Sequence, residues 1–304
     1  MLVASGAQGF FGEGYWYHKW GRPFGLNFTG ATFVAKTTTL YARAGNMPLH
    51  PDFTPRDRMP KCIVVKPWKG VALNSVGLSG PGAEALLETG QWQARKEPFM
   101  LSFMSVAPTA PHRISELVRF VDLLRERLHE FRAPVGLQVN YSCPNVGLHP
   151  GDLVNEVMTG LDMAHDLGIP IMPKFNVLLP PQVAKEISEH DACDALCISN
   201  TIPWGALPDR IDWKGLFGNN TSPLAQFGGG GLSGKPLLPL LIEWLDHAQS
   251  AGVRKPISAG GGILSYEDAH QVMRAGADSI FLGSIAFLRP WRMQGIIRAV
   301  NNMD

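Results

Sequence analysis

The sequence predicts one (β/α)8 TIM barrel with loop excursions over its C-terminal face, a single domain spanning residues 1–304. From about residue 95 onward, short β-rich runs alternate with helical patterns, the signature of βαβ units and a parallel sheet. Eight strands can be counted, each owed a helix, which suits a closed barrel better than an open doubly wound sheet. The polar residues that stand out all fall at the C-terminal ends of those strands, the functional face of such a barrel.

The first three strands are read at residues 2–5, 32–36 and 99–106. The helix that follows the third carries Ile114, Leu117, Val118, Val121, Leu124 and Leu128 at the three-and-four spacing of one buried face. Strand 135–141, helix 153–167, strand 169–177 and helix 181–190 come next. Strand 195–200, helix 237–251, strand 256–259, helix 265–275, strand 279–283 and a last helix near 291–302 complete the series. Two segments interrupt it. Residues 38–80, rich in Pro and Gly, contain the β-prone Cys62-Ile63-Val64-Val65 and predict an excursion with a small hairpin, while residues 202–234 form a loop long enough to be functional by length alone. Both are expected over the same barrel mouth.

Composition narrows the function classes. With 45% hydrophobic residues, 17% charged residues and a net charge of +1, the chain has no basic field for nucleic acid and no acidic tail. No apolar stretch approaches a membrane span, and the N-terminus lacks a signal-sequence pattern, so a cytoplasmic protein acting on a small molecule is expected, with neither nucleic acid nor membrane as partner. The four cysteines (Cys62, Cys143, Cys193, Cys197) and nine histidines show no metal-ligand spacing, and no metal is expected.

The segment Asn140-Tyr141-Ser142-Cys143-Pro144-Asn145 follows the apolar run Val135-Gly136-Leu137-Gln138-Val139 and carries the most chemistry. Two asparagines bracketing a cysteine present amide hydrogen-bonding groups and one acid/base-capable thiol at a single strand end. Alone, Cys143 reads more readily as a small buried hydrophobe than as a catalyst; its polar, turn-forming neighbours shift the reading toward the site. Lys36 and Lys174 are lysines in otherwise apolar strands, which points to an anionic partner, the alternative being side chains that snorkel to solvent. Gly229, Gly231 and Gly234 have the spacing of a dinucleotide fingerprint, a weak signal because no strand precedes them and Pro236 follows; Gly230-Gly231-Leu232-Ser233-Gly234 reads better as a backbone-rich loop at a helix start, or as a merely flexible one. Gly260-Gly261-Gly262 after the seventh strand and Gly283-Ser284 after the eighth stand where barrels commonly hold a phosphate. Asn74, within Leu73-Asn74-Ser75-Val76-Gly77-Leu78, reads on its own as a loop cap.

Taken together, these segments, with Ala4-Ser5-Gly6, Lys36-Thr37-Thr38-Thr39, Gly45-Asn46-Met47-Pro48 and Asn200-Thr201, resemble the dihydroorotate dehydrogenase family of FMN-containing (β/α)8 barrels. The likeness runs over nearly the whole chain. It implies FMN-dependent oxidation of dihydroorotate to orotate in pyrimidine biosynthesis, with Cys143 as the base that removes the C5 proton and flavin N5 as the acceptor of the C6 hydride. Cysteine rather than serine at that position implies the soluble class. By the same resemblance Asn74, Val76, Gly77, Leu78, Asn140, Asn145, Asn200 and Thr201 bind the substrate. Ala4, Ser5, Gly6, Lys36, Thr37, Asn140, Lys174, Gly234, Gly261, Gly262, Gly283 and Ser284 bind FMN, and a homodimer or an electron-transfer subunit is the implied assembly. The chain departs from the family pattern in the aromatic-rich residues 13–28, in 146–152 and in 202–205, and it begins almost at the first strand, where the family usually has a hairpin plugging the barrel bottom.

Three other readings compete. An FMN barrel could act on a different dihydropyrimidine or cyclic amide; Lys174 could form a Schiff base in a phosphate-binding lyase; or the chain could be a non-catalytic subunit with the aromatic N-terminal region as its contact surface.

Overall fold

The computed structural model describes residues 1–141 and 150–302. Its strands are β1 (Leu2–Val3), β2 (Phe33–Val34), β3 (Ile63–Lys66), β4 (Val71–Asn74), β5 (Phe99–Phe103), β6 (Val135–Asn140), β7 (Ile171–Phe175), β8 (Leu196–Ile198), β9 (Ile202–Pro203), β10 (Gly231–Gly234), β11 (Ile257–Ala259) and β12 (Ser279–Leu282). The helices are α1 (Trp16–Gly21), α2 (Ala83–Glu88), α3 (Ala110–Arg127), α4 (Pro150–His165), α5 (Pro181–Ser188), α6 (Trp213–Phe217), α7 (Leu237–Ala251), α8 (Tyr266–Arg274), α9 (Ile285–Leu288) and α10 (Met293–Asn301).

Eight strands form one sheet in the order β1-β12-β11-β8-β7-β6-β5-β2, parallel at every pairing. A parallel bridge between Leu2 and Thr32 brings its two edges together, with Val3 N–H donating to the Thr32 carbonyl at 2.9 Å. The (β/α)8 barrel expected from the alternation is the observed fold.

All six residues of β6 are buried, as befits a strand with helices outside and a packed barrel within. The two faces differ in chemistry. Outward residues such as Leu101, Phe103, Leu137 and Val139 join the main core with Leu117, Phe120, Leu124 and Leu161 of the helices, and the Phe103 and Phe120 rings stack at 4.1 Å. Inward, Met100, Met172, Cys197 and Phe281 pack with Leu2, Ala4 and Ala195. Two residues further along three of these strands, a polar residue follows: Ser102 after Met100, Lys174 after Met172, Ser199 after Cys197. The barrel interior is thus mixed at the level of Met172 and Cys197, where buried Gln138 and Ser258 lie in register with them, and polar at its C-terminal mouth.

Phe120 lies outside the predicted stripe of α3, whose buried residues are Arg113, Leu117, Phe120, Val121 and Leu124. The helix is rotated so that this ring meets Phe103 and Arg113 faces α4. There Arg113 Nε and Nη2 donate to Glu156 Oε1 and Oε2 at 2.7 and 2.6 Å, a bidentate pair only 5% and 8% exposed. Arg113 Nη1 also reaches the Ala107 and Pro108 carbonyls, so one guanidinium ties α4 to the loop after β5.

Both excursions meet in a second, antiparallel sheet of order β3-β4-β10-β9. The hairpin expected within residues 38–80 is β3–β4, with Ile63 opposite Asn74 and Lys66 opposite Val71. Residues 231–234 correct the expectation of a loop: they are strand β10, paired to β4 and β9. Side chains would obstruct that pairing, since a Cβ at Gly231 would overlap the Thr201 hydroxyl and one at Gly230 would lie 2.9 Å from the Asn74 carbonyl oxygen. The aromatic-rich segment contains α1 and a 3-10 turn at Arg22–Phe24, and the last helical region starts earlier than expected, at α9.

Replacing Glu156 by Ala strips the buried guanidinium of its carboxylate and is expected to lower unfolding stability by about 3 kcal/mol. Urea titration reads this as a lower midpoint with an unchanged slope; a loss below about 1 kcal/mol would mean that the pair is solvated like a surface bridge.

Candidate functional site

The mouth of the barrel is wired by side-chain amides and hydroxyls. Asn140, the last residue of β6, donates from Nδ2 to Thr37 Oγ1 at 2.9 Å and to Ser102 Oγ at 3.4 Å. Thr37 and Ser102 hydroxyls are 2.9 Å apart, and Thr37 Oγ1 donates to Ser5 Oγ at 3.3 Å. On the other side, Asn200 Nδ2 donates to Asn140 Oδ1 at 3.2 Å, while Asn200 Oδ1 accepts from the Thr201 N–H at 3.0 Å. Five residues from the ends of β1, β2, β5, β6 and β8 therefore share one connected web. Amide groups in such a web present fixed donors and acceptors, which a flat polar ring can be read against.

The two strand lysines are both buried, at 8% and 4% exposure, so neither snorkels. Lys36 Nζ lies 4.3 Å from the centre of the Phe10 ring and donates to the Ser79 carbonyl. That bond fastens β2 to the turn containing Val76, Gly77 and Leu78, where Val76 O accepts from Asn46 N–H at 2.8 Å and both Gly77 and Leu78 have positive φ. Burial pulls the Lys36 pKa from 10.5 to about 8, and the carboxylate of Glu13 opposes the shift. Lys174 Nζ lies 4.9 Å from the centre of the Phe281 ring and has no hydrogen-bond partner among the described residues. Its pKa is likewise lowered by burial, against the opposing influence of Cys197. A desolvated cation with unused donors is suited to an anionic or strongly accepting group.

The late glycines form a tight backbone corner. Gly261 and Gly262 have φ of 143° and 78°, and a Cβ on Gly262 would sit 2.6 Å from the Leu238 nitrogen at the start of α7 and 2.9 Å from the Gly234 carbonyl oxygen. Gly283 lies so close to β1 that its Cβ would be 3.0 Å from that of Ala4. Ser284 precedes α9, and Gly6 accepts a 2.5 Å hydrogen bond from the Tyr15 hydroxyl. The residues expected at a cofactor site thus converge from β1, β2, β6, β7, β10, β11 and β12.

Asn74 stands apart from the asparagine pair: its amide lies 3.4 Å from the Gly231 carbonyl oxygen in the small sheet, whose Gly231 in turn abuts Thr201. Cys143 and Asn145 lie outside the described residues. Sequence reasoning missed Ser102 and Gln138, although each is a polar residue at an inward position of an apolar strand, the same signal that exposed Lys36. It also missed Glu13, whose carboxylate oxygens accept the Phe10 and Phe11 N–H groups at 3.0 and 2.7 Å and so shape the loop beside Lys36.

A family model of dihydroorotate dehydrogenase matches residues 3–303. The chain belongs to the dihydroorotate dehydrogenase family. Among its relatives, the NAD(+)-type dihydroorotate dehydrogenase B catalytic subunit of Listeria monocytogenes is 31% identical over 94% of this chain and 84% of its own length. The corresponding subunit of Anoxybacillus flavithermus is 30% identical over 96% and 83%, and dihydroorotate dehydrogenase A (fumarate) of Lacticaseibacillus paracasei is 30% identical over 93% and 87%. Dihydroorotate dehydrogenases are oxidoreductases acting on a CH–CH bond, which removes the lyase and the non-catalytic subunit from the readings above. Among the described residues no helix is long and apolar enough to cross a membrane.

Because Lys36 has a lower pKa folded than unfolded, the unfolded chain binds more protons between about pH 8 and 10.5, and this residue makes stability rise with pH across that window. Lys36→Met is expected to flatten the rise in urea midpoint. An equally steep rise in the variant would assign it to another group.

Proposed function

We propose that the protein oxidises dihydroorotate to orotate with FMN, as a cytoplasmic enzyme of pyrimidine biosynthesis. The observation that carries the cofactor is Lys174, a buried ammonium without a hydrogen-bond partner among the described residues, facing the same mouth as the glycine corner of Gly234, Gly261 and Gly262. Both features fit a flavin nucleotide. Lys174 and Lys36 would meet the polar edge of its ring system, Ser5, Gly6, Thr37 and Asn140 its flank, and the backbone at Gly261, Gly262, Gly283 and Ser284 its phosphate. When bound, FMN supplies a hydride acceptor at N5.

The protein's own residues then have three tasks. Asn74, Asn140, Asn145 and Asn200, with Thr201 and the Val76-Gly77-Leu78 turn, hold the amide and carboxylate groups of the pyrimidine. The Asn140–Asn200 bond fixes one amide against the other, so that neither has to be ordered when the substrate arrives. Cys143, three residues after Asn140, removes the C5 proton. Lys174 offsets negative charge that develops at the polar end of the cofactor.

The relatives carry two oxidant types in their names, NAD(+) and fumarate, and those of the first type are named as catalytic subunits. An electron-transfer subunit, or a homodimer, is therefore the proposed assembly.

The purified chain should be yellow, and anaerobic mixing with dihydroorotate should bleach the flavin band; a colourless protein that cannot be reconstituted with FMN refutes the reading. Cys143→Ala should lower kcat by about 10²- to 10⁴-fold while the flavin stays bound. Flavin loss with turnover intact would assign Cys143 a different place. Parallel assays with fumarate, NAD(+) and a quinone identify the oxidant.

A further inference from the structure

Tyr141 follows Asn140 and Phe175 follows Lys174, so by strand alternation these two rings lie on the outer face of the barrel directly behind the two inward site residues. They stack at 5.7 Å with an interplanar angle of 16°, and the Tyr141 N–H donates to the Lys174 carbonyl at 3.0 Å. Beyond the ring, the Tyr141 hydroxyl is buried and has no hydrogen-bond partner among the described residues. It occupies a notch in α4 that exists because residue 160 is glycine. A Cβ there would overlap the hydroxyl oxygen and come within 2.9 Å of Leu117. Both choices are unfavourable locally: glycine weakens a helix interior, and an unpaired buried hydroxyl is worse than the hydrogen of phenylalanine.

We propose that Tyr141 is a positioning residue, which, clamped between Phe175 and the Gly160 notch, sets the height of Asn140 beside Lys174 at the barrel mouth and thereby the affinity for FMN; this rests on the function proposed above. The web around Asn140 tolerates little displacement. A shift of the β6 end by a fraction of an ångström disturbs its bonds to Thr37, at 2.9 Å, and to Asn200, at 3.2 Å, at once.

A four-protein cycle tests the clamp: wild type, Tyr141→Phe, Gly160→Ala and the double variant, each titrated with FMN by quenching of flavin fluorescence, with thermal midpoints and kcat and KM measured alongside. Alanine at 160 favours the helix yet collides with the hydroxyl, so Gly160→Ala should weaken FMN binding by roughly tenfold or more. Tyr141→Phe should bind within about threefold of wild type, and the double variant should return to within about threefold of Tyr141→Phe, since the overlap with the hydroxyl is gone, the ring carbon stands 3.5 Å from the new methyl group, and the remaining 2.9 Å contact is with the mobile end of Leu117. Gly160→Ala that fails to fold, beside a double variant that folds and binds, supports the same conclusion. The clamp is overturned if Gly160→Ala changes the thermal midpoint but not FMN affinity, or if the double variant is no better than Gly160→Ala in folding or binding. A wild-type chain that binds no FMN overturns the cofactor reading instead, and the coupling of Tyr141 to Gly160 is then read from the thermal midpoints of the four proteins.

Discussion

Two ammonium groups inside a closed cylinder of strands impose the constraint around which the rest is arranged. Lys36 and Lys174 are desolvated by the same packing that makes the barrel stable, and that packing lowers the pKa of both. Each is handled differently. Lys36 is turned onto the Ser79 carbonyl, above the Phe10 ring and near Glu13, and in doing so it anchors the turn that follows Asn74. Lys174 keeps an aromatic face beside it and its donors unengaged among the described residues. The first lysine is largely architectural in this state; the second is held ready for something that arrives.

Around this pair, the gradient within the barrel does the sorting. Two methionines, Cys197, Phe281, Leu2, Ala4 and Ala195 pack in the depth beside Gln138, while hydroxyls, amides and lysines rim the mouth. Such a gradient needs only that some strands change character at one inward position, from Met100 to Ser102 or from Met172 to Lys174, while the outer face stays apolar for the helices. Packing and chemistry are thereby assigned to alternate residues of the same strand.

Much of this was legible in the sequence. The six barrel strands after residue 95 appear where alternation of β-rich and helical runs placed them, and β1 and β2 lie within the two runs added to complete the eight; Lys36, Asn140, Lys174 and Asn200 stood out because each is polar within or at the end of an apolar run. What escaped depended on partners distant along the chain. Nothing local in Gly231–Gly234 marks a strand, because its pairing comes from Asn74, 157 residues earlier, and from Pro203. Phe120 fell outside the stripe of α3 because the rotation of that helix is set by Phe103 and by Glu156 on its neighbour. Ser102 and Gln138 were passed over as ordinary polar residues although each interrupts an apolar run as Lys36 does; the closed sheet shows that they face inward.

The small antiparallel sheet bears on how such an enzyme can change. Its four strands come two and two from the insertions, with β10 sandwiched between β4 of one and β9 of its own. Neither insertion completes its backbone pairing alone. Exchanging one of them with that of a homologue leaves unmatched strand edges over the opening, so the two segments form a heritable unit that diverges in step, and chimaeras that respect this should transfer both or neither.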